Sequence, residues 1–360
     1  MQTDDKILSH TISFLRFPLI AAIVLLHSNL SAVIINGTHP VNAGQYPVHE
    51  WLYHFISYEL TGAAVPLFFF ISGFLFFYRS SFSPLVYGKK IKRRVHSLLI
   101  PYLFWNLAVL VLFVLSQIYF SRISSGHTLP IAEFTFSDWL HLFWDYSDGN
   151  PICYQFWFIR DLMVVSLLSP VVFLCVRHLK CLAPFLSGVI WAFHLVPTVP
   201  GFSPISIFFF TFGAWFSIRN RNFAVIFEKY RLPLTALYAV LLLCNLLSRH
   251  FHADPPLLHE CAIVTELMTA TAWTARGIRC GSLQVNRFLA GSAFWIYATH
   301  LMPVALLLKC WLAFIRPLNE FTMIAGYMLI PTLTILFGTA SYALSLRVAP
   351  RFTRIVTGRR

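Results

Sequence analysis

The sequence predicts an all-α, polytopic membrane helix bundle. It is expected to have about ten transmembrane helices in one integral-membrane domain over residues 1–360, with both termini cytoplasmic. Three observations carry that expectation. The chain is 58% hydrophobic and only 11% charged, whereas soluble domains carry about 25% charged residues. Apolar runs long enough to cross a bilayer core recur along it, since about 20 helical residues at 1.5 Å each span about 30 Å. Basic residues fall in alternate connections.

The runs lie at 12–35, 60–78, 97–120, 157–176, 181–197, 204–218, 232–249, 257–275, 289–312 and 321–346, bounded by charges, prolines and polar clusters. The fifth and sixth are the shortest. The leading MQTDDKILSH has no basic n-region and the first run has no small-residue cleavage site, so a retained helix is expected in place of a removed signal peptide. Span two, AVPLFFFISGFLFF, sets Ser72 and Gly73 among aromatics, which lets another helix approach closely. Ser72 has no activating base nearby in sequence, so packing is its simpler role.

Connection charge sets the sidedness. The even-numbered connections hold Arg79 and Lys89–Arg94, then Arg177 and Lys180, then Arg219, Arg221, Lys229 and Arg231, then Arg276, Arg279 and Arg287. The odd ones hold Arg122, Arg249 and Arg316 and little else basic. The positive-inside rule places the basic set in the cytoplasm. That asymmetry explains the net charge of +13 with no nucleic-acid partner. Two odd connections, 36–59 and 121–156, are long, and loops of such length are more often functional than idle. Their histidines lack metal-ligand spacing, so no metal is expected. Of the seven cysteines, only Cys153 looks exposed to an oxidising side, and no disulfide framework is apparent. No internal repeat of the kind that builds inverted-repeat transporters is visible.

Ionisable groups inside these spans mark candidate chemistry, because each is costly in a bilayer unless it faces protein or water. Arg16 and His27 lie eleven residues apart in span one, about three helical turns, so they share a face. The plainer reading is that Arg16 snorkels and His27 bonds a neighbouring helix. Span four, QFWFIRDLMVV, brings Arg160 and Asp161 to a similar outer depth to His27. A carboxylate there could orient a histidine base, but adjacent helical residues point about 100° apart, so one of the two is expected in the site. Asn106, Glu266 and His300 are further membrane-embedded polar residues that line a site or merely bond across helices. Lys309 is expected to snorkel. The run KKIKRR, with Lys89, Lys90, Lys92, Arg93 and Arg94, is a topology determinant, a lipid-phosphate contact, or a grip for an anionic cofactor. No phosphate-binding glycine loop accompanies it.

Five stretches in this order resemble the acyltransferase family 3 membrane proteins, which include O-acetyltransferases of bacterial surface polysaccharides. They are Arg16 and His27 as R-x10-H, VPLFFFISGFLF (65–76), the basic stretch running into LLIPYLFW (98–105), FWFIRDLMVVSLLSP (156–170) and AFWIYATHL (293–301). The resemblance covers roughly 10–345. It implies a multi-pass protein of the bacterial cytoplasmic (inner) membrane. Such a protein would move an acyl group, expected here to be acetyl, from cytoplasmic acyl-CoA to a sugar or glycan acceptor on the other face. His27 and Arg16 would be the essential pair, and Arg93 and Arg94 would belong to the donor segment. The family's R-x-x-R is not matched, since the pairs at that spacing are Lys90/Arg93 and Arg93/His96. On this expectation His27 deprotonates the acceptor hydroxyl or relays the acyl group, Arg16 meets the donor arm, and Arg160 or Asp161 orients His27. Two other classes remain open at this level: a carrier or flippase for an anionic lipid or sugar, and a structural subunit.

Overall fold

The computed structural model describes residues 2–35, 37–119, 133–145, 149–251 and 255–358. All regular elements among them are helical. In chain order they are α1 (Gln2–Leu26), α2 (Pro47–His54), α3 (Ala64–Phe77), α4 (Pro84–Arg94), α5 (Ile100–Tyr119), α6 (Phe136–His141), α7 (Trp157–Leu167), α8 (Ser169–Leu179) and α9 (Leu182–Ala192). There follow α10 (Pro204–Ile218), α11 (Phe223–Lys229), α12 (Arg231–His250), α13 (Pro256–Arg279), α14 (Arg287–Thr299), α15 (Leu301–Phe314), α16 (Glu320–Val348) and α17 (Pro350–Val356).

Five helical runs are long and apolar enough to cross a membrane, and two bent pairs, α7 with α8 and α14 with α15, raise that to seven. The bends have a common cause. Each follows a span that the sequence reads as straight but that contains a proline, Pro170 or Pro303, lacking the N–H for the ladder and crowding the carbonyl four residues back. The bends are 61° and 64°. Outward faces are apolar, as lipid requires: only 6% of the apolar window of α12 is buried within the protein.

Three expected boundaries move. Span one ends at Leu26 and not Ile35, because Ser28 Oγ donates back to Val24 O at 2.8 Å. Asn29 then caps a new 3-10 turn over Leu30–Ala32 by accepting from Ser31 N at 3.0 Å. The connection 36–59 is not open loop: α2 runs through a π-helical stretch at Phe55–Glu59 towards α3. The connection 121–156 loses residues 120–132 and 146–148, with Arg122 and Asp148, to the undescribed part of the chain. Its remainder folds back onto the first half of α5, where Tyr102 donates to Phe143 O and Asn106 Oδ1 accepts from Cys153 N at 3.0 Å. Cys153 is therefore 1% exposed and not open to an oxidising side.

Contacts group the chain into two units, one from Met1–Ile20, Glu59–Arg93 and Asp161–Ala293, the other from Ala21–Tyr58, Arg94–Arg160 and Phe294–Arg360. In the first, α3 and α10 touch through reciprocal glycines. A Cβ on Gly73 would strike the Phe210 carbonyl, and one on Gly213 the Phe70 carbonyl. Phenylalanines fill the space beside them, with Phe74 and Phe223 edge to face at 4.8 Å. At one end of this unit Arg279 pairs with Glu228 at 2.7 Å and Asp4 at 3.6 Å. Asn222 donates to Asp4 O at 3.0 Å, and Arg79 pairs with Asp5. Each of these links joins the N-terminus to an even connection, or even connections to one another.

The second unit shows the same parity. Glu320, the last residue of connection nine, accepts from the backbone of Val48 and His49 in connection one at 3.1 and 2.9 Å. At the other end Gly358 packs on the Ser97 backbone so closely that no Cβ would fit. The core there is Trp295, Tyr342 and Val356, with Trp105 Nε1 donating to Val356 O at 3.0 Å.

Candidate active site

His27 stands on the last rung of α1, its backbone N–H still bonded to Ile23 O at 3.2 Å. His300 stands at the break between α14 and α15 that Pro303 creates. These two interruptions bring the rings together, with centroids 5.3 Å apart and planes tilted by 41°. His300 is 1% exposed, and its Nδ1 lies 2.7 Å from Tyr297 O. A carbonyl can only accept, so we assign the proton to Nδ1 and leave Nε2 as a bare acceptor. That Nε2 is buried and has no hydrogen-bond partner among the described residues.

A third side chain arrives from the folded-back segment. The Tyr154 ring meets His27 edge to face at 6.0 Å. Its position follows from bonds on either side of it. Asn106 fixes Cys153, and Gln155 Nε2 donates to Ala298 O at 2.9 Å. Tyr297 OH donates to Gln155 O in return. Arg160 ties down the same segment, donating to Gly149 O at 2.8 Å and lying over the Trp144 ring at 5.6 Å.

Beside His27 opens a cavity of about 520 Å³, within the about 300–1,000 Å³ of small-molecule sites. Its polar lining includes His27, Asn29, Tyr53, Tyr58, Tyr154 and Lys309. Tyr53 donates to Leu26 O at 2.7 Å, which fixes the hydroxyl at the end of α1.

Of the residues expected from sequence, His27 and His300 share this site, and Asn106 supports it through Cys153. Arg160 belongs to the same unit as the supporting segment. Asp161 is 1% exposed and lies in the first unit. Arg16, exposed on α1, also lies there. Glu266 sits in the first unit too, where Oε2 accepts from Ala63 N at 3.0 Å. Near it Glu59 accepts from Asn245 at 3.3 Å and Tyr238 at 2.5 Å. The basic residues divide on α4. Lys89, Lys92 and Arg93 are exposed at i, i+3 and i+4, one face of a helix. Lys90 bends back to cap α3 through Phe76 O and Ser80 Oγ, the latter at 2.7 Å. Arg94 is half-buried.

Sequence reasoning missed Tyr53, Tyr58 and Tyr154 and gave Lys309 to the bilayer surface. Nothing in a single helical period marks a tyrosine that reaches the site from a 3-10 turn or a π-helical stretch. The prolines at 170 and 303 were a usable signal for the breaks. Among the described residues no cluster of histidine, cysteine and carboxylate is arranged to hold a metal ion.

A family model described as an acyltransferase domain matches residues 10–345. The chain belongs to this acyltransferase family. It is 26% identical to the succinoglycan biosynthesis protein ExoH of Rhizobium meliloti (strain 1021), across 99% of this chain and 94% of that protein. No solved structure matches. As a family member the chain is a membrane O-acyltransferase, and its apolar helices are those of a multi-pass membrane protein. Membership makes it an enzyme, which sets aside the carrier and the structural subunit.

Proposed function

We propose that the protein transfers an acyl group, acetyl in the first instance, from a cytoplasmic coenzyme A thioester to a hydroxyl of a sugar or cell-envelope glycan. The observation that carries this reading is His27 at the wall of a cavity, its ring beside that of buried His300, whose Nε2 has no partner among the described residues. A glycan acceptor is supported by the relative's role in succinoglycan biosynthesis.

The ring of His300 would take an N–H from His27, holding the imidazole in one tautomer with its other nitrogen free to act as base. Such bonds are often long before substrate binds and tighten in the reactive complex. His27 removes the acceptor hydroxyl proton as the oxygen bonds to the thioester carbonyl carbon. The carbon–sulfur bond then breaks and the proton passes to the departing thiolate, leaving ester and free thiol. Tyr154 closes one side of the cavity against His27. In this reading His27 is the catalytic residue, and His300, Asn106 and Arg160 are positioning residues, the last two through the Tyr154 segment.

The donor would meet the exposed face of α4, where Lys89, Lys92 and Arg93 offer charge-assisted bonds to coenzyme A phosphates. Lys90 and Arg94 would add to the local positive field. Arg16, eleven residues before His27 and so about 16 Å along α1, would meet the pantetheine arm. Asp161 and Glu266 would act as buried polar supports in the first unit. The arrangement suits ten spans, both termini cytoplasmic and residence in the bacterial inner membrane. The parity of the end contacts and the basic even connections support that sidedness.

Acceptor-dependent thiol release from acetyl-CoA by the purified protein tests the reading. His27→Ala should fall to background while remaining monodisperse. A His27→Ala protein that inserts normally and keeps full transfer would sink the assignment.

A further inference from the structure

The His27 cavity contains a charge that acyl transfer to a neutral hydroxyl does not require. Lys309 lines it from α15 together with Ala305 and Leu308. Positions i, i+3 and i+4 form one stripe of a helix, so this stripe faces the cavity. Met302 and Leu306, which are exposed and suit lipid, stand seven and three residues before Lys309 and so flank it on the same side of α15. Lys309 thus stands at the border between that lipid-facing side and the cavity, half-buried, and lines the cavity, whereas sequence reasoning assigned it to the bilayer surface alone. Among the described residues no acidic side chain lines the cavity, and Lys309 makes no ion pair there. An ammonium inside a membrane helix is costly unless an anion or water meets it.

We propose that Lys309 forms an anion subsite in the His27 cavity, and that one of the two reactants carries a carboxylate that it binds. The claim that the anion is a reactant rests on the acyl-transfer reading above; the subsite itself rests on the cavity lining. Tyr53, Tyr58 and Tyr154 complete a surface suited to a sugar ring, with aromatic bodies for stacking and hydroxyls for hydrogen bonds. The carboxylate has two possible sources, an acidic sugar on the acceptor or the far end of a dicarboxylic acyl group on the donor.

The experiment uses the full chain in lipid nanodiscs and has two arms. Calorimetry compares a glucuronate-containing oligosaccharide with its neutral glucose counterpart, and succinyl-CoA with acetyl-CoA. Thiol release is followed for the same pairs. The wild type should prefer the charged probe in one arm, which identifies the source. Lys309→Met should reduce that preference roughly 10- to 100-fold, the range for a hydrogen bond to a charged group, and Lys309→Arg should keep most of it. A wild type with no charge preference in either arm overturns the proposal. So does a Lys309→Met protein that keeps the preference, or that weakens charged and neutral probes equally through lost packing. Absence of acceptor-dependent thiol release with every pair would instead overturn acyl transfer, while calorimetry would still read the subsite. The two failures are distinguishable.

Discussion

Replacing Asn106 by leucine removes its hydrogen bonds with Cys153 N and Tyr102 O, far along the chain from His27, and should nevertheless slow the reaction. Asn106 is fully buried and Cys153 is 1% exposed, so water cannot replace the lost partner. The Cys153 N–H, now 3.0 Å from Asn106 Oδ1, would be left unsatisfied at a cost of about 1–3 kcal/mol. Leucine has the same side-chain heavy-atom count and branching as asparagine and is the bulkier of the two, so none of the effect is a cavity. The chain can relieve the penalty only by moving the segment that carries Tyr154 away from α5. If the whole penalty appears as lost positioning in the transition state, kcat falls roughly 5- to 150-fold, at 1.36 kcal/mol per tenfold. Turnover is read by thiol release in nanodiscs. Hydrogen exchange across residues 149–156 should rise in parallel. Wild-type turnover together with unchanged exchange in that segment would refute the reasoning, because the bond would then hold nothing the chemistry uses.

Three further outcomes are expected. His300→Phe keeps an aromatic ring but removes both nitrogens, the acceptor among them, and should lower kcat at least about tenfold with the donor KM little changed. His300→Gln restores an acceptor and should recover part of the rate, which a purely structural role would not produce. Gly73→Ala or Gly213→Ala forces a methyl into a facing backbone carbonyl and should destabilise by about 1–3 kcal/mol, read as lower melting temperature and yield. Gly88→Ala, which meets nothing within 4 Å, should be neutral to slightly stabilising. Lys92→Ala with Arg93→Ala should raise the acetyl-CoA KM several-fold and flatten its salt dependence, whereas Lys90→Ala should act on the α3 terminus and lower thermal stability.

Much of the helical content was legible in sequence because lipid exposure leaves a simple signal. α10, α12 and α16 begin and end within a few residues of the apolar runs, since charges and prolines mark where a helix meets water. His27 was legible for the same reason, as a titratable group inside such a run. Phe143 and the segment from Gly149 to Phe156 were not, because their polar and aromatic surroundings look like an outer loop until Tyr102 and Asn106 supply partners from α5. Lys90 shows the converse limit. A basic run reads as one surface, yet only the backbone path of α4 decides which ammonium reaches a helix end and which face outward.

The site also explains why Tyr58 and Tyr154 escaped periodicity and why even its histidines sit off a regular helix. His27 follows the end of α1, His300 occupies a proline break, Tyr154 lies in the 3-10 turn Tyr154–Phe156, and Tyr58 lies in the π-helical stretch. At each of these places the regular ladder is interrupted, so backbone groups seek side-chain partners and side chains leave the usual stripe. A continuous helix would have turned His300 onto a packed face with no bend to admit a second ring. In a membrane, where unpartnered backbone is costly, such interruptions persist only when protein surrounds them or they line a cavity. The bonds from Tyr53 to Leu26, Ser28 to Val24 and Gln155 to Ala298 meet that requirement here. The same irregularities that hide the site from a helical pattern are what let one histidine face a cavity while a second stands behind it.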